Sequence, residues 1–208
     1  MNPGRFVVFE GGDGVGKTTQ ATLLADWLSE QGHQVARTFE PGDTPAGQRI
    51  RRIVLDPATG HLDPRAEALL YAADKAQHLF AVVRPGLAAG AVVVCDRYVD
   101  SMLAYQGAGR VLDVDEVETI ARWATGDLRP DLTVLLDLDP DQAVGKMTLR
   151  DRLEDAGADF HARARDGFLT LAARDPKRYL VLPARAPIDE LAAMIRERVA
   201  QLLPQGRP

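Results

Sequence analysis

Short apolar runs alternate with longer amphipathic stretches from one end of the chain to the other. Several runs are rich in valine and leucine at successive positions, so that both faces are apolar, which is typical of parallel strands covered on both sides. We predict five strands, at Phe6–Phe9, Val35–Phe39, Ala91–Cys95, Leu132–Leu138 and Tyr179–Leu182.

The intervals between these runs carry helical periodicity. An apolar stripe at i, i+3 and i+4 spacing runs from Leu23 to Leu28, and Gly32 stands where the C-cap of that helix would fall. Two further helices are predicted over Arg65–Ala88 and Asp189–Leu203. Strands that alternate with helices imply right-handed crossovers and one doubly wound α/β sheet, with helices on both faces.

Length and composition fit one globular domain with an insertion. The chain has 208 residues, of which 46% are hydrophobic and 26% charged, proportions that disfavour a disordered chain or a coiled coil. No internal repeat or linker divides residues 1–208 into two domains. The basic stretch from Lys146 to Arg165 is the one segment that looks inserted, and we place a short lid at about 146–158.

Charge and residue usage exclude several functions. A net charge of −5 disfavours a general nucleic-acid binder, which needs excess Lys and Arg to neutralise phosphates. The single cysteine, Cys95, excludes an intramolecular disulfide and a Cys-cluster metal site, and the four histidines show no metal-ligand spacing. No apolar run reaches the roughly 18 residues of a membrane span and no signal pattern precedes the first strand, so we expect a cytoplasmic protein without a membrane partner.

A glycine-rich segment directly follows the first predicted strand. It reads Gly11-Gly12-Asp13-Gly14-Val15-Gly16-Lys17-Thr18-Thr19. This matches the GxxxxGK[ST] pattern, in which glycines let backbone N–H groups point at phosphate oxygens and the next helix directs its positive end at the same anion. We predict that the segment binds the phosphates of a nucleotide, with Lys17 reaching the β- and γ-phosphates and the Thr18 hydroxyl helping to hold Mg²⁺.

Phosphate-loop proteins include GTPase switches, multi-subunit ATPases and small-molecule kinases. A GTPase reads guanine with an Asn-Lys-x-Asp motif, which is impossible here because Asn2 is the only asparagine. A multi-subunit ATPase usually carries an apolar strand that ends in paired acidic residues. The run Leu132–Leu138 contains Asp137 without a second acid, so this alternative is weak but stays open.

A kinase also needs a second site, with cations for the acceptor phosphate and a surface for the acceptor base. Asp96-Arg97-Tyr98 follows the third strand at the sheet edge where α/β proteins bind ligands, so Asp96 can serve a metal ion and Arg97 can bind phosphate. Two helical i, i+4 pairs supply further candidates. They are Tyr71 with Lys75 and Met102 with Gln106. The structural alternatives are a strand-end ion pair and an ordinary solvated helix face.

Four motifs together give the chain a resemblance to the bacterial thymidylate kinase family. They are residues 6–20, Glu40-Pro41-Gly42-Asp43-Thr44-Pro45, Asp96-Arg97-Tyr98 and Ala104-Tyr105-Gln106-Gly107. The match runs from Phe6 to about Leu202. It implies a P-loop kinase fold with a five-stranded parallel sheet, a homodimer, and phosphoryl transfer from MgATP to dTMP, giving dTDP.

The resemblance implies how the acceptor's base and sugar are bound. Tyr71 takes the place of an aromatic residue that stacks on thymine, Gln106 that of a group that hydrogen-bonds the base, and Tyr105 that of an aromatic residue under the deoxyribose. Lys75 stands where the family usually has an arginine that contacts the thymine carbonyl, and Met102 where a small polar residue is common. These departures motivate an alternative, a kinase for a modified deoxypyrimidine monophosphate.

The resemblance also implies how the acceptor phosphate is held. Arg51 and Arg97 match arginines that bind this phosphate. Asp13 and Glu40 match acidic residues near the sugar and phosphate of the acceptor, and Phe39 replaces a frequent arginine before Glu40.

Catalytic arginines of this family lie either inside the phosphate loop or in the lid. The loop interior, Gly12 to Val15, contains no arginine, whereas Arg150 and Arg152 supply two in the predicted lid. The chain is therefore similar to the second type, and such an arginine can raise the rate by about 10³–10⁵-fold. A solubilising basic loop is the structural alternative.

These residues predict direct in-line transfer to dTMP. Thr18 and Asp96 would hold Mg²⁺, and closure of the lid would exclude water. The acceptor phosphate is already an anionic nucleophile, so positioning and charge neutralisation carry the rate. A nucleotide-binding regulator without turnover is the alternative from another class. Arg51 and Arg97 disfavour it, because a sensor requires no transfer apparatus.

Overall fold

A five-stranded parallel sheet forms the centre of the fold in the computed structural model, which describes residues 4–139 and 157–203. The strands are β1 (Arg5–Gly11), β2 (Val35–Phe39), β3 (Val92–Asp96), β4 (Leu132–Asp137) and β5 (Tyr179–Pro183). Their order in the sheet is β2-β3-β1-β4-β5. The five predicted strands are confirmed, with ends that differ by at most two residues.

Helices connect the strands and cover both faces of the sheet. They are α1 (Lys17–Glu30), α2 (Pro45–Leu55), α3 (Pro64–His78), α4 (Arg84–Ala88), α5 (Val99–Met102), α6 (Val114–Thr125), α7 (Ala158–Arg174) and α8 (Ile188–Ala200). A 3₁₀ turn spans Pro57–Thr59, and π-helical segments span Leu79–Val83 and Leu103–Gly109. The long helix predicted over Arg65–Ala88 is thus α3, the first π-helical segment and α4 in direct succession. The last helix ends at Ala200, short of the predicted Leu203.

The alternation of side chains along β1 explains why both faces are covered. Phe9 points into an apolar cluster with Leu24 of α1 and Ile195 of α8. Val8 points to the other face, where it packs in a cluster with Val83 of the first π-helical segment. All of these side chains are at most 1% exposed, so the central strand is buried on both sides, as its apolar run predicted.

Strand register brings three carboxyl ends to one edge of the sheet. Asp96 of β3 pairs with Phe9 of β1 on one side and with Phe39 of β2 on the other. The backbone N–H of Glu40 donates to the carbonyl oxygen of Asp96 at 2.9 Å. The phosphate loop after β1 therefore lies beside Glu40 and Asp96, where open α/β sheets bind ligands.

The predicted lid and the predicted lack of a membrane span have different outcomes. The lid placed at about 146–158 lies outside the described residues up to position 156, and so do Arg150 and Arg152. In the parts of the chain that the structure describes, no helix combines the length and the apolar character needed to cross a bilayer.

Candidate functional site

The phosphate loop turns sharply between β1 and α1. Gly11 has a φ of 130°, and a Cβ on it would lie 2.3 Å from the carbonyl oxygen of Leu136, so only glycine fits there. Gly16 caps α1 with a φ of 94°. The predicted loop is therefore a strand–turn–helix unit whose first helical residues are Lys17 and Thr18.

Lys17 lies inside this loop. Its Nζ donates to the carbonyl oxygen of Gly11 at 3.1 Å and to that of Gly12. Burial, together with the nearby charge of Arg97, lowers the pKa of Lys17 to about 8, against the opposing effect of Asp13. The ammonium thus stays largely charged at neutral pH and is sparsely solvated, which strengthens its attraction for an anion.

Thr18 and Asp96 form an oxygen pair at the mouth of the loop. The hydroxyl of Thr18 donates to Asp96 Oδ2 at 2.6 Å, which joins the start of α1 to the end of β3. Hydroxyl and carboxylate oxygens suit Mg²⁺, which takes one or two protein ligands and completes its shell with water and nucleotide phosphates. Within residues 4–139 and 157–203, no three acidic, histidine or cysteine side chains converge on one point, so these two residues fit a phosphate-dependent Mg²⁺ site better than an all-protein cage.

Arg97 links β3 to the phosphate loop. Its Nη1 donates to the carbonyl oxygen of Gly11 at 3.0 Å and to the Ser101 hydroxyl at 2.9 Å, and its Nη2 donates to Asp13. The guanidinium carbon lies 5.3 Å from the centre of the Tyr105 ring. Although burial favours a raised pKa for Asp13, Arg97 and Lys17 hold that pKa below its ordinary value. Asp13 is therefore an anion that keeps the guanidinium beside the loop.

Glu10 supports the turn that carries Arg97, and its role was not predicted from the sequence. This residue of β1 is fully buried and accepts bonds from the backbone N–H of Tyr98 at 2.8 Å and of Ser101 at 3.1 Å, and from the Ser101 hydroxyl at 2.6 Å. Burial and the charge of Asp100 raise the pKa of Glu10 to about 7. Through Ser101, this carboxyl group fixes the turn that carries Arg97.

A second buried ionic cluster surrounds Glu40. Lys75 Nζ donates to Glu40 Oε2 at 2.5 Å, and His78 Nδ1 lies 2.7 Å from Glu40 Oε1. His78 Nε2 lies 2.5 Å from the Thr38 hydroxyl. Despite the opposing effect of burial, Lys75 and His78 lower the pKa of Glu40. The ammonium of Lys75, predicted to contact the base, is therefore paired with Glu40, a contact that the sequence did not reveal.

Arg51 of α2 is a second arginine of the site. Its Nη1 donates to the carbonyl oxygen of Pro41 at 2.8 Å, and its guanidinium carbon is 5.9 Å from the Phe39 ring centre. An added Cβ on Gly42 would lie 2.8 Å from Arg51 Cδ, so the backbone of the β2–α2 connection packs closely on this side chain. Arg51 and Arg97 thus both line one opening in the surface beside the phosphate loop.

Two cavities adjoin at this opening. The first, which we call the acceptor cavity, is lined by Asp13, Glu40, Pro41, Arg51, Leu55, Tyr71, Lys75, Arg97, Ser101, Met102, Tyr105 and Gln106. The second, the loop cavity, is lined by Asp13, Gly14, Lys17, Thr18, Ala21, Arg37, Thr38, Phe39, Glu40, Asp43, Arg51, Asp96 and Arg97. Asp13, Glu40, Arg51 and Arg97 belong to both. The structure thus brings all nine predicted acceptor residues into one cavity beside the phosphate loop.

Glu67 is a further residue that sequence reasoning missed. It is fully buried on α3, where it accepts from Gln106 Nε2 at 3.0 Å and from two nitrogens of Arg110, at 3.1 and 3.2 Å. Its spacing is a signal that could have identified it, because Glu67, Tyr71 and Lys75 follow each other at i, i+4 and share one helix face.

Asp137, the acidic residue considered for an ATPase motif, lies outside both cavities. Its two carboxylate oxygens accept from Arg165 Nε at 2.8 Å and from Nη2 at 3.0 Å. This bidentate ion pair ties the end of β4 to α7, which is a structural role.

Comparisons with known proteins agree on one family. The family model described as "Thymidylate kinase" matches residues 9–195 of this chain. The chain is 60% identical to the thymidylate kinase of Cutibacterium acnes, over 96% of this chain and 98% of that one, and 50% identical to that of Deinococcus radiodurans, over 97% and 98%. Among solved structures, the thymidylate kinase of Ehrlichia chaffeensis is similar with a TM-score of 0.79 and 31% identity, over 96% of this chain and 100% of that one.

Proposed function

The chain belongs to the thymidylate kinase family, and we propose that it transfers the terminal phosphoryl group of ATP to dTMP, giving dTDP and ADP. The observation that supports this most directly is the junction of the two cavities, where Arg51 and Arg97 face the phosphate loop. A phosphoryl group can pass between two nucleotides only if their phosphates meet, and these arginines lie where they would meet.

We assign the donor ATP to the loop cavity. The backbone of Gly12 to Gly16 and the start of α1 would hold its phosphates, and Lys17 would leave the loop carbonyls to pair with the β- and γ-phosphates. Thr18 and Asp96 would hold Mg²⁺, which neutralises phosphate charge when bound. The fit of a hydroxyl and a carboxylate oxygen at 2.6 Å supports this assignment.

We assign the acceptor dTMP to the acceptor cavity. Its phosphate would lie between Arg51 and Arg97, and its base would contact Tyr71 and Gln106, which line the same cavity. Tyr105 packs against Phe160 with ring centres 5.8 Å apart, so its ring is held firmly enough to form a wall for the sugar.

The reaction then needs positioning and charge neutralisation rather than a strong base. The acceptor phosphate attacks as an anion, and Lys17 and Arg97 neutralise charge that builds up on the transferred group. We propose that Arg150 and Arg152 of the lid add to this neutralisation and that lid closure excludes water. Both residues lie outside the described part of the chain.

We further propose that residues 1–208 form one catalytic domain that acts as a homodimer. Two exposed apolar side chains on neighbouring helices support this, Ile53 of α2 at 41% exposure and Leu69 of α3 at 56%. Light scattering on the purified chain tests it, since a mass of one protomer would contradict the proposal.

A panel of nucleoside monophosphates tests the function. ADP release, coupled to NADH oxidation, should be strong with dTMP, weaker with dUMP, and negligible with dCMP and AMP. Equal rates with dTMP and AMP would contradict the assignment of the acceptor. A higher rate with a 5-modified dUMP than with dTMP would favour the alternative substrate class, for which the position of Met102 in the cavity wall is the motivating observation.

A further inference from the structure

We propose that Glu67 is a positioning residue for base selection: it fixes the side-chain amide of Gln106 so that the acceptor cavity prefers pyrimidines that carry a hydrogen on N3. Thymine and uracil have this hydrogen, and cytosine lacks it. The inference rests on the proposed function, because it takes the acceptor base to lie at the Tyr71 end of the cavity.

The hydrogen bonds of Glu67 determine what it can offer to Gln106. Its carboxyl group is fully buried, and Arg110 donates to both of its oxygens, from Nε to Oε1 at 3.1 Å and from Nη2 to Oε2 at 3.2 Å. A guanidinium fork of this kind pairs with the ionised form of a carboxyl group, in which both oxygens are acceptor sites.

Glu67 in turn sets the orientation of the Gln106 side-chain amide. An amide has one donor end and one acceptor end, and the hydrogen-bond network decides which end points where. Because Glu67 Oε1 can only accept, the Gln106 amide must turn its Nε2 toward it, at 3.0 Å. A flipped amide would set two acceptor oxygens against each other in a site that is 1% exposed.

The amide oxygen of Gln106 remains available to a ligand. Gln106 lines the acceptor cavity, and no hydrogen bond from residues 4–139 or 157–203 reaches its amide oxygen. One N–H of the amide is bonded to Glu67, and the oxygen is the acceptor that Gln106 offers to a base. It can accept a hydrogen bond, and it repels a lone pair.

Pyrimidines differ at the matching atom. N3 of thymine or uracil is a donor, whereas N3 of cytosine is a lone pair at neutral pH. A buried polar site rejects a ligand that leaves its groups unpaired, and a preference of about tenfold or more is the ordinary size of this effect. A fixed Gln106 therefore selects dTMP and dUMP over dCMP.

The test compares Glu67→Gln with the matched control Arg110→Lys. The glutamine introduced by E67Q presents both a donor and an acceptor, so the Gln106 amide is free to flip, whereas Arg110→Lys keeps Glu67 charged. We would measure the Kd of dTMP, dUMP and dCMP by calorimetry, kcat/KM for each, and the Tm of each variant. We expect E67Q to narrow the preference for dTMP over dCMP by about tenfold, with dTMP and dUMP affected alike, and R110K to retain the wild-type preference.

A swapped pair supplies the second variant. E67Q/Q106E moves the carboxylate to position 106, where it presents an acceptor oxygen whichever way it turns, so the preference for dTMP should return. An unchanged preference in E67Q, an equal loss for all three monophosphates, or a swapped variant without preference would overturn the inference. If E67Q does not fold, the swapped variant decides. If the wild type transfers no phosphoryl group, the proposed function fails, while the Kd ratios still test the role of Glu67.

Discussion

The guanidinium of Arg97 donates to the carboxylate of Asp13, so a residue at the end of β3 is bound to the phosphate loop that follows β1. Both residues line both cavities. Under the proposed function, this contact would place a cation where the phosphates of the two nucleotides meet. The bond to Asp13 also holds that cation in place before either ligand arrives.

Replacing Arg97 by lysine tests this arrangement. Lysine keeps the charge but loses the planar fork that binds Gly11, Ser101 and Asp13 at once. We expect the KM for dTMP to rise by about tenfold to a hundredfold, with a smaller change in the KM for ATP. Steady-state kinetics measures both constants. Arg198→Lys, at a residue that lines neither cavity, serves as the control, and an equal rise in both KM values would contradict the acceptor role.

Lys17 is the residue whose loss should affect turnover most. Lys17→Ala removes the buried ammonium from the loop, and we expect kcat to fall by at least about 10²-fold because charge on the transferred group is no longer neutralised. The Tm should not fall, since the desolvated charge is removed along with its contacts. Lys177→Ala, at an exposed lysine, is the matched control. Near-normal turnover in K17A would reject the phosphate-loop role.

Glu10 should make stability depend on pH. Its pKa is about 7 in the folded protein, against an ordinary value of 4.5, so folding binds a proton between these values. The contribution of Glu10 to the free energy of unfolding should therefore be largest below pH 4.5 and decrease as the pH rises toward 7, by between about 1 and 3 kcal/mol. Glu10→Gln should lose this decrease, as measured by urea unfolding across the range.

A control separates Glu10 from a second buried acid. Burial and the charge of Glu40 raise the pKa of Asp74 to about 6, so Asp74→Asn should change the profile at lower pH and leave the segment between pH 6 and pH 7 intact. If wild type and E10Q show parallel profiles between pH 5 and pH 7, Glu10 is not the group that titrates.

The buried pair of Lys75 and Glu40 predicts a stability effect that is not additive. The two side chains are 3% and 1% exposed, and Lys75→Met leaves the Glu40 carboxylate with His78 as its remaining side-chain partner. We expect K75M to lower the free energy of unfolding by about 3 kcal/mol. K75M/E40Q, which removes both charges, should recover much of that loss. If the losses in the free energy of unfolding caused by K75M and by E40Q alone simply add in the double variant, Lys75 and Glu40 are not strongly coupled.

The sequence predicted the parts of the fold that follow from local patterns. The five strands could be predicted because each is an apolar run bounded by turn residues, and the phosphate loop because Gly11, Gly16, Lys17 and Thr18 have fixed spacing. The π-helical segment at Leu103–Gly109 could not be predicted. Its extra residue per turn changes the direction of the side chains near Gln106, and no simple pattern of residues marks such a turn.

The sequence predicted which residues line the site but not which of them pair with each other. All nine acceptor residues line one cavity, yet the partner of Lys75 is Glu40, 35 positions away, and this contact depends on how α3 packs against the end of β2. Glu10 was missed because an isolated acidic residue in an apolar strand has no partner in the sequence alone, and the role of Glu67 was missed because its partners Gln106 and Arg110 lie 39 and 43 positions away. Buried pairs of this kind are determined by tertiary packing.

The most direct test of the account is to follow the phosphoryl group itself. ATP labelled with ³²P at the γ position would be mixed with dTMP and enzyme in a single turnover, and the products would be separated by thin-layer chromatography. The account predicts that the label appears in dTDP, with none on the protein and little in inorganic phosphate. Label that accumulates on the protein or in inorganic phosphate, with none in dTDP, would contradict direct transfer between the two cavities.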